Sequence, residues 1–241
     1  MVEAARLDEI KGLYQYRVHD KVNIDECWQK TGKAPIRVRW LDINKGDEAN
    51  KEYRSRLVAQ EIKQDSRLDL FAATPPLEAK KALFVLAVTE GVGWNRKHNK
   101  HMKLDFIDVW RASWCADARR EVYVDLPQEI QETGKCAQLN KSLYGTRDAA
   151  QNWEEEYSAT LVNWAFKQGK GTTCAFYHSA RNLRVVVHGD DFTVLGYEED
   201  LNWFRKQMES KYEMKHSRIG PGKQDNKCVR ILNRVVEWND E

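Results

Sequence analysis

The chain has 241 residues, of which 41% are hydrophobic and 32% charged, with a formal net charge of +2. These totals suit one large globular domain or two modest ones, and so balanced a charge does not by itself indicate a nucleic-acid partner. The five cysteines are scattered without a C-x-x-C pair, which argues against a zinc ribbon or a disulfide framework and favours a reduced, intracellular chain.

The N-terminal stretch, up to about Lys33, is predicted to be helical and polar, and it lacks the basic-then-apolar build of a secretory signal. The longest apolar run covers only residues 82–88, too few to span a bilayer. We therefore expect a soluble protein with no membrane partner.

Two strands with a turn between them are predicted next. Residues 36–43 alternate apolar with polar side chains, 44–47 (Asn-Lys-Gly-Asp) form a turn, and 53–59 form the returning strand. The pair carries four arginines, namely Arg37, Arg39, Arg54 and Arg56. Arginines on strands usually belong to an ordinary solvated face, and the functional alternative is a surface that binds phosphates.

After Pro75-Pro76, residues 78–90 are predicted to form a helix with its apolar side chains on one face. These side chains are Ala79, Leu83, Leu86 and Ala87. The basic run 96–103 contains an H-x-x-H pair, His98 and His101, but no third ligand lies nearby in the sequence. We therefore expect a solvated basic loop and not a metal site.

The remaining elements are a short strand at 121–127, a long amphipathic helix at 148–166, an apolar hairpin and a further helix at 199–214. Strands and helices in this mixed order predict an α+β domain, in which an antiparallel sheet carries helices packed on one face.

A pair of adjacent aspartates, Asp190 and Asp191, lies between the two strands of the apolar hairpin. Neighbouring carboxylates repel each other unless a cation neutralises them, and Mg²⁺ prefers such oxygen ligands. An isolated Gly-Asp-Asp is equally compatible with a solvated turn. A two-metal site needs a further carboxylate from another segment, and Asp105 and Asp108 lie on one predicted strand. Because they are three positions apart they face opposite sides, so only one can join the pair.

Several motifs in order resemble the reverse transcriptases of copia-type retrotransposons. They are the basic segment 53–59, the Asp108-Val-Trp-Arg-Ala motif, the strand 121–127, the segment 139–145, the aspartate hairpin, and the segments 204–214 and 229–234. The resemblance covers nearly the whole chain, and the order of the motifs is more specific than any one of them.

The resemblance implies a right-hand polymerase and an RNA-directed DNA polymerase activity, part of a Pol polyprotein. It assigns residues 1–100 mainly to the fingers, 101–220 mainly to the palm and 221–241 to the start of a C-terminal part. It selects Asp108 as the catalytic carboxylate that acts with Asp190 and Asp191. Asp108 and Asp190 would then bind two Mg²⁺ ions, or Mn²⁺ in their place, while Asp191 shapes the site and contacts the metal.

The same resemblance implies the partners: an RNA or DNA template with its primer, and dNTPs, in a cytoplasmic or nuclear retrotransposon particle. The nucleotide contacts that it implies are Arg54, Arg56, Val109, Ser113 and Gln151, with the backbone amides of residues 109–112 around the triphosphate. The implied nucleic-acid contacts are Arg37, Arg39, Lys141 and Arg147.

Four departures from the family leave alternatives open. His188-Gly189 stands where the family usually has Tyr-Val, and Ser113 stands where it tends to carry an aromatic side chain that excludes a 2′-hydroxyl, unless Trp114 substitutes. The region around 148–150 lacks a typical proline, and no thumb, RNase H or integrase segment is evident. The alternatives are a truncated, catalytically decayed remnant that still binds nucleic acid, and an RNA-templated RNA polymerase.

Overall fold

The computed structural model describes residues 1–62, 72–98, 100–231 and 234–239. Asn99 of the predicted basic loop and residues 232–233 of the predicted C-terminal continuation lie outside these ranges. The helices are α1 Val2–Gln15, α2 Ile24–Thr31, α3 Leu77–Val88, α4 Ala112–Cys115, α5 Ala149–Asn163 and α6 Glu198–Glu209, with short 3₁₀ turns at Arg96–His98 and Gln128–Ile130. In the part of the chain so described, no helix is long and apolar enough to cross a membrane.

The strands are short and all those paired into sheets run antiparallel. They are β1 His19–Asn23, β2 Val38–Asn44, β3 Tyr53–Ala59, β4 Trp94–Asn95, β5 Lys100–His101, β6 Lys103–Val109, β7 Tyr123–Val124, β8 Lys135–Leu139, β9 Lys167–Gln168, β10 Ala175–His178, β11 Leu183–His188, β12 Asp191–Gly196, β13 Met214–Ile219, β14 Cys228–Ile231 and β15 Arg234–Glu237.

The chain divides into two units, each built from two separate segments. The first unit comprises Met1–Ala72 and Ala112–Glu156, and the second comprises Ala73–Arg111 and Tyr157–Glu241. The assignment of 1–100 to fingers and 101–220 to palm stays a prediction.

The first unit contains the sheet β1-β8-β7 and the predicted basic hairpin, β2-β3. At the hairpin turn, Asn44 Oδ1 accepts hydrogen bonds from the backbone N–H groups of Gly46 and Glu52, which is how a turn-favouring asparagine closes such a loop. The strand-face side chains Leu57 and Ala59 pack with Trp114 into the core of this unit.

The second unit is organised around a six-stranded sheet in the order β13-β6-β12-β11-β10-β9. The predicted apolar hairpin is β11-β12, and β12 also pairs with β6, the strand that carries Asp105 and Asp108. The sequence predicted the β11-β12 hairpin because strand-favouring side chains lie on both sides of the turn-favouring Gly-Asp-Asp.

Helices cover both faces of this sheet, so the prediction of helices on one face was wrong. On one face, Leu83 and Ala87 of α3 pack with Phe106 of β6. On the other, Tyr157 of α5 has its ring 5.7 Å from that of Phe192 on β12. Residues 106 and 192 lie on opposite faces because Phe192 is opposite Ile107 in the ladder. A sheet with apolar side chains on both faces requires other elements, here helices, to pack against each face.

Several strands were not predicted, and β1 and β13 are two of them. β1 lies in the N-terminal stretch that the sequence indicated to be helical, and β13 lies where the predicted helix 199–214 was expected to end. Both pair with remote strands, β1 with β8 and β13 with β6. Neither has a strong local apolar alternation, so only the tertiary pairing makes them strands.

Candidate functional site

The aspartate pair lies at the tip of the β11-β12 hairpin. His188 and Asp191 are the last paired residues, which leaves Gly189 and Asp190 as the two-residue turn. Gly189 has a φ of +63° and is the first central residue, as in a type II′ turn. Glycine adopts this φ without strain, whereas the valine that the resemblance leads one to expect at this position would be strained.

Four polar side chains form a row across one face of the sheet. Asp108 on β6 is directly opposite Asp191 on β12 and also opposite Lys215 on β13, while Asp191 is opposite His188 on β11. Directly opposed residues of antiparallel strands project to the same face. The order of the row is therefore Lys215, Asp108, Asp191 and His188.

Asp105 lies on the other face, as the spacing of three residues predicted. It is fully buried and accepts two hydrogen bonds from Arg218 on β13, at N–O distances of 2.5 and 2.7 Å. A carboxylate held by a bidentate guanidinium is committed to a structural ion pair. This leaves Asp108 as the β6 carboxylate beside the hairpin.

Burial and neighbouring charges shift the pKa values of two residues of this row, Asp191 and His188. Burial raises the pKa of Asp191 to about 6, and repulsion by Asp190 and Asp108 adds to the rise, while Lys80 opposes it. Burial and the charge of Lys80 lower the pKa of His188, and the carboxylate of Asp190 opposes this. The carboxylates therefore lie within electrostatic range of one another, as a cation site requires.

Lys80 is the residue of this site that sequence reasoning missed. It is 4% exposed and lies in the first turn of α3, and burial lowers its pKa while Asp191 opposes the change. The predicted apolar face of this helix included Ala79 and Leu86, yet the buried positions are Lys80, Leu83 and Ala87. The spacing of three and four residues between Lys80, Leu83 and Ala87 was the signal in the sequence, but a lysine is rarely expected on the buried face of a helix.

A cavity of about 190 Å³ lies beside the row, lined by Asp108, Asp191 and Lys215 and by Val229 to Ile231 of β14. Its volume holds several water molecules, at about 30 Å³ each. A hard divalent cation fits this site. The carboxylates supply oxygen ligands, they repel one another when no cation is present, and the cavity beside them has enough space for an ion. Within the described ranges, however, no three His, Cys, Asp or Glu side chains lie close enough together to hold a metal ion.

The end of β6 leads into a basic and aromatic segment. The Val109 N–H donates to Asp190 O at 3.0 Å and the Trp110 N–H donates to Glu213 O at 2.8 Å. Both amides donate within the protein, and Val109 and the backbone amides of residues 109–112 stay predicted contacts with the triphosphate. Lys215 Nζ lies 5.3 Å from the centroid of the Trp110 ring, and Arg111 has a φ of +52°.

In the first unit, three of the predicted arginines share one face of the β2-β3 hairpin. Arg39, Arg54 and Arg56 lie opposite Val58, Ile43 and Leu41, respectively, so all three alternate away from the core-facing Leu57 and Ala59. Arg37 precedes β2 and is exposed. The Arg56 guanidinium lies 5.1 Å from the centroid of the Tyr144 ring. We call Arg39, Arg54 and Arg56 the basic hairpin face.

The other predicted contacts of this unit are engaged within the protein. Lys141 forms an ion pair with Asp117 at 2.6 Å, the Arg147 N–H donates to Glu61 at 2.8 Å, and Gln151 donates to Glu155 at 3.2 Å. Lys141, Arg147 and Gln151 stay predicted contacts with nucleotide or nucleic acid.

Ser113 is only 7% exposed, and its neighbour Trp114 is fully buried in the core of the first unit. The Trp114 ring packs edge-on against Tyr16, with 5.8 Å between centroids. A side chain held in this way cannot substitute for the aromatic residue that the family tends to carry at position 113.

Comparison with known proteins places the chain in a family. Residues 25–221 match the family described as reverse transcriptase (RNA-dependent DNA polymerase). The chain belongs to this family, which is a family of nucleotidyltransferases, and the resemblance drawn from the motifs is confirmed.

One relative is a retrotransposon protein. Over 205 residues the chain is 22% identical to the Retrovirus-related Pol polyprotein from transposon TNT 1-94 of Nicotiana tabacum, covering 80% of this chain and 14% of that polyprotein. Among solved structures, apo telomerase from Candida Tropicalis, truncated from its C-terminal domain, aligns with a TM-score of 0.42 and 8% identity, over 97% of this chain and 58% of that one.

Proposed function

We propose that the chain is the nucleotidyl-transfer core of an RNA-directed DNA polymerase from a copia-type retrotransposon. The observation that carries the proposal is the position of Asp108, directly opposite Asp191 and next to the Asp190 turn. Asp108 and Asp191 come from two remote segments and line one cavity, Asp190 is next to Asp191 in the chain, and family membership supports metal-dependent nucleotidyl transfer at this place.

Asp108, Asp190 and Asp191 would hold the divalent metal, Mg²⁺ or Mn²⁺, through their carboxylate oxygens. When bound, two such ions lower the pKa of a primer 3′-hydroxyl and offset the charge of the triphosphate and the pyrophosphate. The protein's own part is to fix the carboxylates: the β6-β12 ladder fixes Asp108 opposite Asp191, and the tight turn fixes Asp190 beside them.

The substrates follow from the same proposal: dNTPs and an RNA or DNA template with its primer. Arg54 and Arg56 would bind nucleotide phosphates through charge-assisted hydrogen bonds, and Arg37 and Arg39 would bind the nucleic-acid backbone. In this proposal the right-hand polymerase division, with fingers before palm, applies to the chain.

The test is primer extension on a homopolymeric RNA template with and without Mg²⁺. We expect Mg²⁺-dependent incorporation of dNTPs by the wild-type chain, and at least about a 100-fold loss in Asp190→Asn, because a missing metal ligand costs several kcal/mol of transition-state stabilisation. Asp25→Asn is the matched control, since Asp25 is exposed on α2. Extension that persists in Asp190→Asn, with contaminating polymerase excluded, would refute the proposal.

The second candidate function is a catalytically decayed remnant that binds nucleic acid. Two observations favour it. One is the basic hairpin face, and the other is that no three potential metal ligands among the described residues lie close enough together to hold an ion. A wild-type chain that binds the primer–template in a salt-sensitive way, yet incorporates neither dNTPs nor rNTPs with any metal, would favour it. Incorporation of rNTPs in preference to dNTPs would instead indicate an RNA polymerase.

A further inference from the structure

Lys80 continues the buried stripe of α3. Lys80, Leu83 and Ala87 are 4%, 4% and 0% exposed, and their spacing places them on one side of the helix. Leu83 and Ala87 pack with Phe106, which shares its face of the sheet with Asp108. Lys80 lies one turn toward the N-terminal end of the same stripe, so it faces the side of the sheet that carries the polar row.

Lys80 is buried because of the side of α3 on which it lies, and not because the whole first turn of this helix is buried. The next residue, Lys81, is exposed. A buried ammonium is costly unless an opposite charge compensates it. The charge of Lys80 interacts with Asp191 and with His188, two adjacent members of the row. Helix α3 packs against β12, β11 and β6, the strands that carry Asp191, His188 and Asp108, so the buried Lys80 and the Asp191 carboxylate lie on elements that pack together in the second unit.

The three carboxylates repel one another in the absence of a cation. Asp191 lies between the other two, since Asp108 is its partner in the ladder and Asp190 precedes it in the chain. Lys80 is a cation that the fold itself supplies at this point. A fixed cation of this kind holds a carboxylate in place before any metal arrives, and it also repels an arriving metal.

We propose that Lys80 is a positioning residue whose buried ammonium holds the Asp191 carboxylate in the row opposite Asp108 and keeps the acidic cluster assembled. The inference rests on the proposed function, because it assigns Lys80 a role in the same site. It has two consequences of opposite sign: Lys80 weakens the binding of a divalent cation and raises the rate of incorporation.

The experiment compares three variants with the wild-type chain at pH 8. Lys80→Met keeps the length and the helix propensity without the charge, Lys80→Arg keeps the charge, and Lys81→Met is the exposed control. Mn²⁺ affinity is measured by electron paramagnetic resonance titration and the incorporation rate constant by single-turnover primer extension. Circular dichroism verifies that each variant is folded.

We expect Lys80→Met to bind Mn²⁺ about tenfold more tightly, as loss of a nearby unit charge predicts, and to incorporate nucleotide at least about tenfold more slowly. Lys80→Arg and Lys81→Met should stay within about twofold of wild type in both measurements. A merely structural lysine would instead weaken Mn²⁺ binding and folding together, without rescue by arginine.

Unchanged Mn²⁺ affinity in Lys80→Met overturns the inference, as does an equal effect in Lys81→Met or a loss in Lys80→Arg as large as that in Lys80→Met. The two proposals fail separately. A wild-type chain that incorporates nothing, but whose Mn²⁺ affinity rises in Lys80→Met, refutes the polymerase and supports the role of Lys80 in assembling the cluster. A wild-type chain that binds no Mn²⁺ overturns both.

Discussion

Asp191, a proposed metal ligand, works against the stability of the fold that carries it. Its carboxylate is partly buried, faces Asp108 across the β6-β12 ladder and neighbours Asp190 in the chain, so its pKa is raised to about 6. Folding therefore disfavours the ionised form that a metal ligand needs. A site of this kind is retained for its chemistry, and the surrounding core compensates for its cost.

The raised pKa predicts that Asp191→Asn stabilises the protein at neutral pH. Between pH 3.8, the ordinary pKa of an aspartate, and about 6, the folded chain binds more protons at Asp191 than the unfolded chain does. Stability is therefore lost as the pH rises through this window, by up to about 3 kcal/mol at pH 7.5. Asparagine is uncharged and removes this loss.

The measurement is urea denaturation at pH 7.5 and pH 4 in the presence of EDTA, with Asp25→Asn as the control. We expect Asp191→Asn to be more stable than wild type at pH 7.5 and nearly equal to it at pH 4. A variant that is less stable at pH 7.5, or whose gain does not depend on pH, would show that Asp191 carries no electrostatic cost.

At the scale of elements, the ion pair of Asp105 and Arg218 joins the two strands β6 and β13. The two residues are direct partners in the ladder, and Arg218 also donates to Asn202 on α6 at 3.0 Å. The pair is largely buried on the face opposite Asp108, so a slip of one residue would leave both charges without their partners. The register that brings Lys215 opposite Asp108 is thereby specified.

Removing one partner of this ion pair is predicted to lower the free energy of unfolding more than replacing both partners. Asp105→Ala leaves the guanidinium of Arg218 largely buried and without its bidentate partner, while the more exposed Glu198 at 3.6 Å offsets part of its charge. We therefore expect a loss of about 3 kcal/mol in the free energy of unfolding. The double variant Asp105→Leu/Arg218→Leu should lose clearly less, because no charge is left behind.

Denaturation in urea tests this, with Lys21→Ala as the exposed comparison. Lys21 pairs with Glu132 at 3.5 Å on the surface, and such a pair is worth at most about 1 kcal/mol. If Asp105→Ala were no more damaging than Lys21→Ala, the ion pair would have no part in fixing β6 against β13.

At the scale of the whole molecule, the sequence predicted what local pattern controls. The β2-β3 and β11-β12 hairpins were found because their turn residues and flanking strands are neighbours in the chain, and the spacing of Asp105 and Asp108 correctly separated their faces. Strand β13 was missed, since it depends on pairing with a remote segment. Lys80 was missed because its burial depends on the tertiary position of α3.

The division into two units was equally hidden from local pattern. Each unit joins two segments that are far apart in the chain, and contacts of that kind leave no periodic signal. The placement of helices on both faces of the six-stranded sheet was not predicted for the same reason, because α3 lies far from α5 and α6 in the sequence.

The most direct test of the central claim is a double-mutant cycle between Asp108 and Asp191 in single-nucleotide incorporation. If both carboxylates serve one cation site, Asp108→Asn and Asp191→Asn should each lower the rate at least about 100-fold, and the double variant should be at most about tenfold slower than the worse single one. Losses that simply multiply, or an Asp108→Asn variant with the wild-type rate, would contradict a shared site.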